Sequence, residues 1–171
     1  TGVQTCALPI YLIPNYGVDK AIEMWQGPKG AKQDFILPES WIEVKSTNLG
    51  KREIHISSLE QLDSPISDGV LSVVTLQESN AYDANAICLS TFIDEIESEI
   101  NDDLIAIDFK EKLLLVGYGQ NKENELYFRV CGIENYRVNE EFPKIKRNDI
   151  PTAITKVSYT LNLEAISNFK I

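Results

Sequence analysis

The sequence holds a single histidine, His55, and only three cysteines, Cys6, Cys88 and Cys131, with no CxxC spacing among them. A tetrahedral zinc site built from Cys and His alone would consume all four residues, so that chemistry is discarded. An odd, scattered set of thiols fits reduced cysteines in a cytoplasm better than a disulfide framework. No apolar run approaches the roughly 20 residues that span a bilayer, so the chain reads as soluble, without a membrane partner. Basic residues are also scarce, with 16 Lys and Arg against 26 Asp and Glu and a formal charge of −10. A general nucleic-acid coat protein needs surplus Lys and Arg for phosphates and does not fit this balance. A small basic site on an acidic body still fits.

What is present is an ordinary globular mixture. The chain has 171 residues, 43% hydrophobic and 25% charged, enough for one domain with a proper core. Residues 1–10 (TGVQTCALPI) carry no charge and no secretory pattern, and they resemble the in-frame translation of a sequencing adapter. On that reading they are non-native, Cys6 carries no meaning, and the domain that starts at Tyr11 is N-terminally incomplete.

From Tyr11 to Trp25 the pattern is the end of a helix, stopped by Gly27-Pro28. Asp34–Leu37 and Trp41–Ser46 flank the turn Pro38-Glu-Ser40 and predict a β-hairpin. Arg52–Ser57 alternates as a third strand, with Ile54 and Ile56 on one face and His55 on the other. Ser57 with Glu60 matches a capping box for a helix running through Leu62. Gly69–Leu76 is a continuous apolar run, as in a strand buried on both sides. Helices are expected over Leu89–Ile100 and from Asp102 to about Val116, the second with Ile105, Phe109, Leu113 and Val116 along one stripe. Leu126–Ile133, Tyr136–Val138 and Ile154–Leu163 read as strands of an antiparallel sheet.

Charge is uneven along this map. Between Asp94 and Glu125, ten acidic residues stand against three basic ones, which reads as a solvated helical face. It also leaves open an acidic module that binds basic partners. From Pro28 to His55 the balance is five basic to four acidic, and Lys29, Lys32, Lys51 and Arg52 are the candidate phosphate contacts.

The chemistry centres on Asp34, Glu43 and Lys45. Residues i and i+2 of a strand share a face, so Glu43 and Lys45 point together and are expected to face solvent at the site, while Ile42 and Val44 pack behind. Asp34, on the other hairpin arm, is placed to reach the same spot. Two carboxylates suit Mg²⁺, which keeps several waters and takes few protein ligands. A neighbouring Lys orients water or steadies a phosphate oxygen as charge builds. An acid-x-Lys triplet alone is weakly specific, since Asp108-Phe-Lys110 is a second one. That second triplet lies in a helical pattern and is expected to be solvent-exposed.

The series Trp25-Gln-Gly-Pro28, Asp34-Phe35, Trp41-Ile-Glu-Val-Lys-Ser-Thr47 and Ile56-Ser-Ser-Leu-Glu-Gln-Leu62 is much more specific. It resembles the prokaryotic PD-(D/E)xK motif protein family of the restriction-endonuclease-like superfamily. The likeness continues through Gly117-Tyr118, Tyr136-Arg-Val138, Phe142-Pro143 and Val157-Ser-Tyr159. It implies an α/β fold, a restriction-endonuclease-like mixed sheet flanked by helices, followed by a helical pair and a β-rich C-terminal part. Residues 11–88 would form the nuclease core and 89–171 the rest of the same domain. The resemblance implies a Mg²⁺-dependent DNA endonuclease, with Mn²⁺ able to substitute, acting in restriction or phage defence beside partner proteins or as a homodimer. Asp34 and Glu43 would be metal ligands, Lys45 the catalytic lysine, and Gln61 a further site residue. An acidic residue that often completes the site on the family's first helix would precede Tyr11, and Glu23 replaces it only in an unusual helix orientation. The alternative is a catalytically inactive nuclease-like subunit kept for assembly or DNA recognition.

Overall fold

A computed structural model describes residues 9–119 and 126–171. The adapter-like reading of residues 1–10, including Cys6, falls largely outside them. Two short helices come first, α1 (Pro9–Tyr16) and α2 (Val18–Met24). The single N-terminal helix expected from the pattern is therefore interrupted, at Gly17, whose φ of 78° lies in the left-handed region. The expected hairpin forms from β1 (Phe35–Ile36) and β2 (Trp41–Asn48), antiparallel, with Phe35 opposite Ile42. β3 (Glu53–Ile56) and β4 (Gly69–Glu78) follow. Then come β5 (Ile87–Cys88), α3 (Leu89–Glu99), α4 (Asp103–Leu115), β6 (Tyr127–Val138) and β7 (Tyr159–Asn162).

The main sheet has the order β1-β2-β4-β6-β5. β2 and β4 run parallel along their full overlap, and the other pairs are antiparallel. The continuous apolar run of β4 thus occupies the middle of the sheet, buried on both faces, as its sequence demands. Both expected helices of the second half form. Asp102 caps α4 by accepting the Leu104 N–H at 2.7 Å, and Gly117, at a φ of 86°, stands just past its end.

Several expectations are corrected. Arg52–Ser57 does yield a strand, but β3 leaves the main sheet and pairs antiparallel with β7 in a separate two-stranded sheet. Ile154–Leu163 contributes only the four residues of β7. Leu126–Ile133 and Tyr136–Val138 are one strand, β6, because Glu134 and Asn135 continue its pairing with Val73 and Ser72. No helix follows Ser57. There is a single 3-10 turn, Leu59–Gln61, preceded by Ser58 with no side-chain cap. Pro65 disfavours helical geometry at Ser64, leaving too little chain for a helix.

The sheet separates two apolar clusters. One face carries Ile42, Val44, Val74 and Leu76 against Ile22 and Trp25 of the N-terminal helical segment and Ile93, Phe109 and Leu113 of α3 and α4. The other carries Trp41, Leu71, Val73 and Tyr136 against Ile54, Ile56 and Leu161 of the small sheet. Both tryptophans are core residues, and His55 is exposed.

Trp41 is wholly buried, and its indole N–H donates to the Ile66 carbonyl at 3.0 Å. Gly69 lies directly opposite it in the parallel ladder, and a Cβ there would come within 2.1 Å of the indole ring. The ring cannot yield without breaking its hydrogen bond and the cluster around it. Gly69→Ala is therefore expected to destabilise the protein by about 1–3 kcal/mol, the range for overpacked cores, measurable as a lowered urea midpoint at unchanged slope.

Candidate active site

The site grows out of the end of the β1–β2 ladder. Pairing stops at Phe35, and the Asp34 carboxylate takes over the next strand N–H, with Oδ2 accepting from Val44 at 2.9 Å. The Asp34 carbonyl accepts the N–H groups of Gln26 (2.9 Å) and Gly27 (3.0 Å), so the residue is held from both sides.

On β2, alternation sends Ile42 and Val44 into one cluster and turns Glu43 and Lys45 to the opposite face, as expected. The Lys45 Nζ lies 2.7 Å from Glu43 Oε1. It also donates to Gln61 Oε1 at 3.0 Å. The structure therefore brings together all four residues singled out from the sequence: Asp34, Glu43, Lys45 and Gln61. Gln61 arrives on the 3-10 turn rather than on a helix. Its Oε1 also accepts from the Ser57 N–H (2.9 Å) and hydroxyl (3.0 Å). Ser57 thus clamps Gln61 instead of capping a helix.

One expectation fails here. Glu43 and Lys45 do not face open solvent; they are only 1% and 7% exposed. Their face of β2 is covered by the turn that carries Gln61 and by the cluster of Trp41 and Leu71. The electrostatics follow from that burial. Loss of hydration pushes the Glu43 carboxyl up to about 8, and repulsion from Asp34 adds to the shift; Lys45 and the Asp34 N–H oppose it. Asp34 is also raised, mainly by burial, against its bond to the Val44 N–H and the charge of Lys45.

The candidate phosphate contacts do not form one patch of free cations. Lys29 is paired with Asp108. Arg52 lies 3.2 Å from Glu134 and 4.0 Å from Glu164. Lys32 and Lys51 are exposed. The second triplet, Asp108-Phe-Lys110, lies on α4 with Lys110 exposed, as expected, but Asp108 is corrected. Asp108 is only 21% exposed in its side chain and bonds both Lys29 and the fully buried Lys112, at 2.6 Å from the latter. Burial alone would raise its carboxyl, but hydrogen bonds from Lys112 and Lys29 outweigh it and hold Asp108 below the usual range. The i,i+4 spacing of Asp108 and Lys112 was the sequence signal for this pair. Glu134 had none, since Arg52 and Lys170 reach it through the tertiary fold; Ser57 meets Gln61 four residues on, where the pattern pointed to a helix cap instead.

Glu23 is exposed on α2. Among the described residues, no group of three or more His, Cys, Asp or Glu is arranged to hold a metal ion. The candidate ligand set is the pair Asp34 and Glu43.

A family model described as "Putative PD-(D/E)XK family member (DUF4420)" matches residues 6–164. The chain belongs to this family. The match spans both sheets and all the site residues, and the curled mixed sheet with four helices is consistent with a PD-(D/E)XK-like fold. No curated protein and no solved structure matches the chain. Among the described residues, no helix is long and apolar enough to cross a membrane.

The raised carboxyls make a prediction for the metal-free protein. With Glu43 at about 8 when folded and near 4.5 when unfolded, the folded state keeps a proton that the unfolded chain releases. Stability should therefore fall as pH rises through that window and level off above it, by up to about 1.4 kcal/mol per pH unit. The raised Asp34 adds to the same trend at the acidic end. Urea titrations across the window in the presence of chelator should show the slope, and Glu43→Gln should remove most of it.

Proposed function

We propose that the chain is a Mg²⁺-dependent DNA endonuclease, with Mn²⁺ able to substitute. The observation that carries this reading is the meeting of buried Glu43 and Lys45 with half-buried Asp34 and Gln61, drawn from β2, the segment leading into β1 and a 3-10 turn. The donor set fits a hard divalent cation. Two neighbouring carboxylates are held in a desolvated site where their mutual repulsion raises Glu43, and a cation between them would relieve that repulsion. Asp34 and Glu43 would hold the metal, which when bound supplies Lewis-acid polarisation of the phosphate and a more acidic water.

The protein's own groups do the remainder. Asp34 is aimed by the Val44 N–H and by the turn at Gln26–Gly27. Lys45 presents a positive charge, oriented by Gln61, to the phosphate oxygen on which charge builds. Ser57 fixes Gln61 and so limits the freedom of the Lys45 side chain. The low exposure of Glu43 and Lys45 excludes bulk water and strengthens each of these interactions.

DNA as the substrate, with a setting in restriction or phage defence in the cytoplasm, rests on the family resemblance. An acidic protein whose Lys29 and Arg52 are already paired is suited to acting with partner proteins, or as a homodimer, that add affinity for DNA. A second reading, a nuclease-like subunit that does not cut, is favoured by the ligand set of only two acidic residues among those described.

Nicking of supercoiled plasmid with and without Mg²⁺ or Mn²⁺ separates the two. Wild-type protein is expected to cut only with metal. Lys45→Met, which keeps the side-chain volume, is expected to lower the rate by about two orders of magnitude or more while retaining the circular dichroism spectrum. Cutting by Lys45→Met at the wild-type rate overturns the mechanism. Wild-type protein that folds but never cuts supports the non-catalytic reading.

A further inference from the structure

We propose that Asp108 is a positioning residue for Asp34, holding through Lys29 the corner of chain on which that carboxylate is seated. This rests on the reading of Asp34 as a metal ligand. The corner is the 3-10 turn Gly27–Lys29 that follows α2. Its leading N–H groups, those of Gln26 and Gly27, both donate to the Asp34 carbonyl, and Trp25 bridges Phe35 beside it. Gly27 packs so closely that a Cβ there would lie 2.8 Å from Asp34 Oδ1 and 3.1 Å from its Cα. The turn is therefore the floor under the Asp34 side chain, and a shift of the turn moves the carboxylate.

Among the described residues, that floor has one long-range charged tie. Lys29, the last residue of the turn, reaches Asp108 on α4, 79 positions along the chain. Asp108 is itself immobilised. Its Oδ2 lies 2.6 Å from the ammonium of Lys112, which is completely buried and donates to the Ile22 carbonyl at 2.6 Å. A single carboxylate thus fastens the last turn of α2 and the following 3-10 turn to the same point of α4. Solvation alone would not require the contact, because the Lys29 side chain is 42% exposed and water could serve its ammonium.

The test is Mn²⁺ binding without DNA, by calorimetry on the folded protein, for wild type, Lys29→Met and Lys29→Arg. Lys29→Met leaves the Asp108–Lys112 pair intact, whereas Asp108→Asn would strand a buried lysine and endanger folding. Lys29→Met is expected to weaken Mn²⁺ binding roughly tenfold, the lower end for loss of a group that orients a metal ligand. Its unfolding midpoint should stay within a few degrees of wild type, and Lys29→Arg should restore binding. A lysine that only contacts DNA, or only adds stability, would leave Mn²⁺ affinity unchanged. Lys29→Met binding Mn²⁺ as tightly as wild type overturns the proposal while leaving the metal site standing. A wild-type protein that binds no Mn²⁺ overturns the reading of Asp34 as a ligand, and the positioning role falls with it.

Discussion

The burial of Glu43 and Lys45 in the middle of β2 is the constraint on which the rest of the site depends. Removing two charges from water costs several kcal/mol per ion, and their mutual attraction repays it only when geometry and further hydrogen bonds are good. The protein meets that condition partly. Lys45 has both Glu43 and Gln61. Glu43 has Lys45 but also Asp34, whose like charge contributes to a carboxyl raised to about 8. The pair is under-compensated on its acidic side, an imbalance that the cation of the proposed function would relieve.

The fold around the pair supplies rigidity rather than extra charge. β2 is paired parallel to β4 along its length, and β4 is buried on both faces, so the backbone under Glu43 and Lys45 has little freedom. The two apolar clusters divide the supporting roles. The helical cluster packs behind Ile42 and Val44 and brings Asp34 in through the turn after α2. The second cluster, with the small β3–β7 sheet, brings Ser57 and Gln61 over the other face. Disturbance of either layer reaches the site from a different side.

Much of this was legible in the sequence. The hairpin, the buried run of β4, the two helices of the second half and the shared face of Glu43 and Lys45 all follow from local periodicity. The convergence of Asp34, Glu43, Lys45 and Gln61 was expected and is observed. Most of the missed features are non-local. The strand at Glu53–Ile56 has a clear alternation, but nothing in it says that its partner is Tyr159–Asn162. The capping-box pattern at Ser57 and Glu60 was a sound local signal, overruled when Ser57 found Gln61 and Pro65 cut the segment short. Asp108 looked like a surface acid because Lys29 and the Ile22 carbonyl, which close over its i,i+4 pair with Lys112, lie on other elements.

The sequence by itself therefore determined which residue types occur, which way successive side chains of each strand point, and which four residues compose the candidate site. The directions and the candidates Asp34, Glu43 and Lys45 are consequences of a two-residue period and of motif chemistry, Gln61 follows from the family resemblance, and none of these needs a partner segment. Only the tertiary structure decided that the face bearing Glu43 and Lys45 is covered rather than open. It alone also decided that β6 is one unbroken strand and that Asp108 ties the Asp34 corner to α4. Exposure and ion pairing depend on what packs against a surface from elsewhere in the chain, and alternation cannot carry that information.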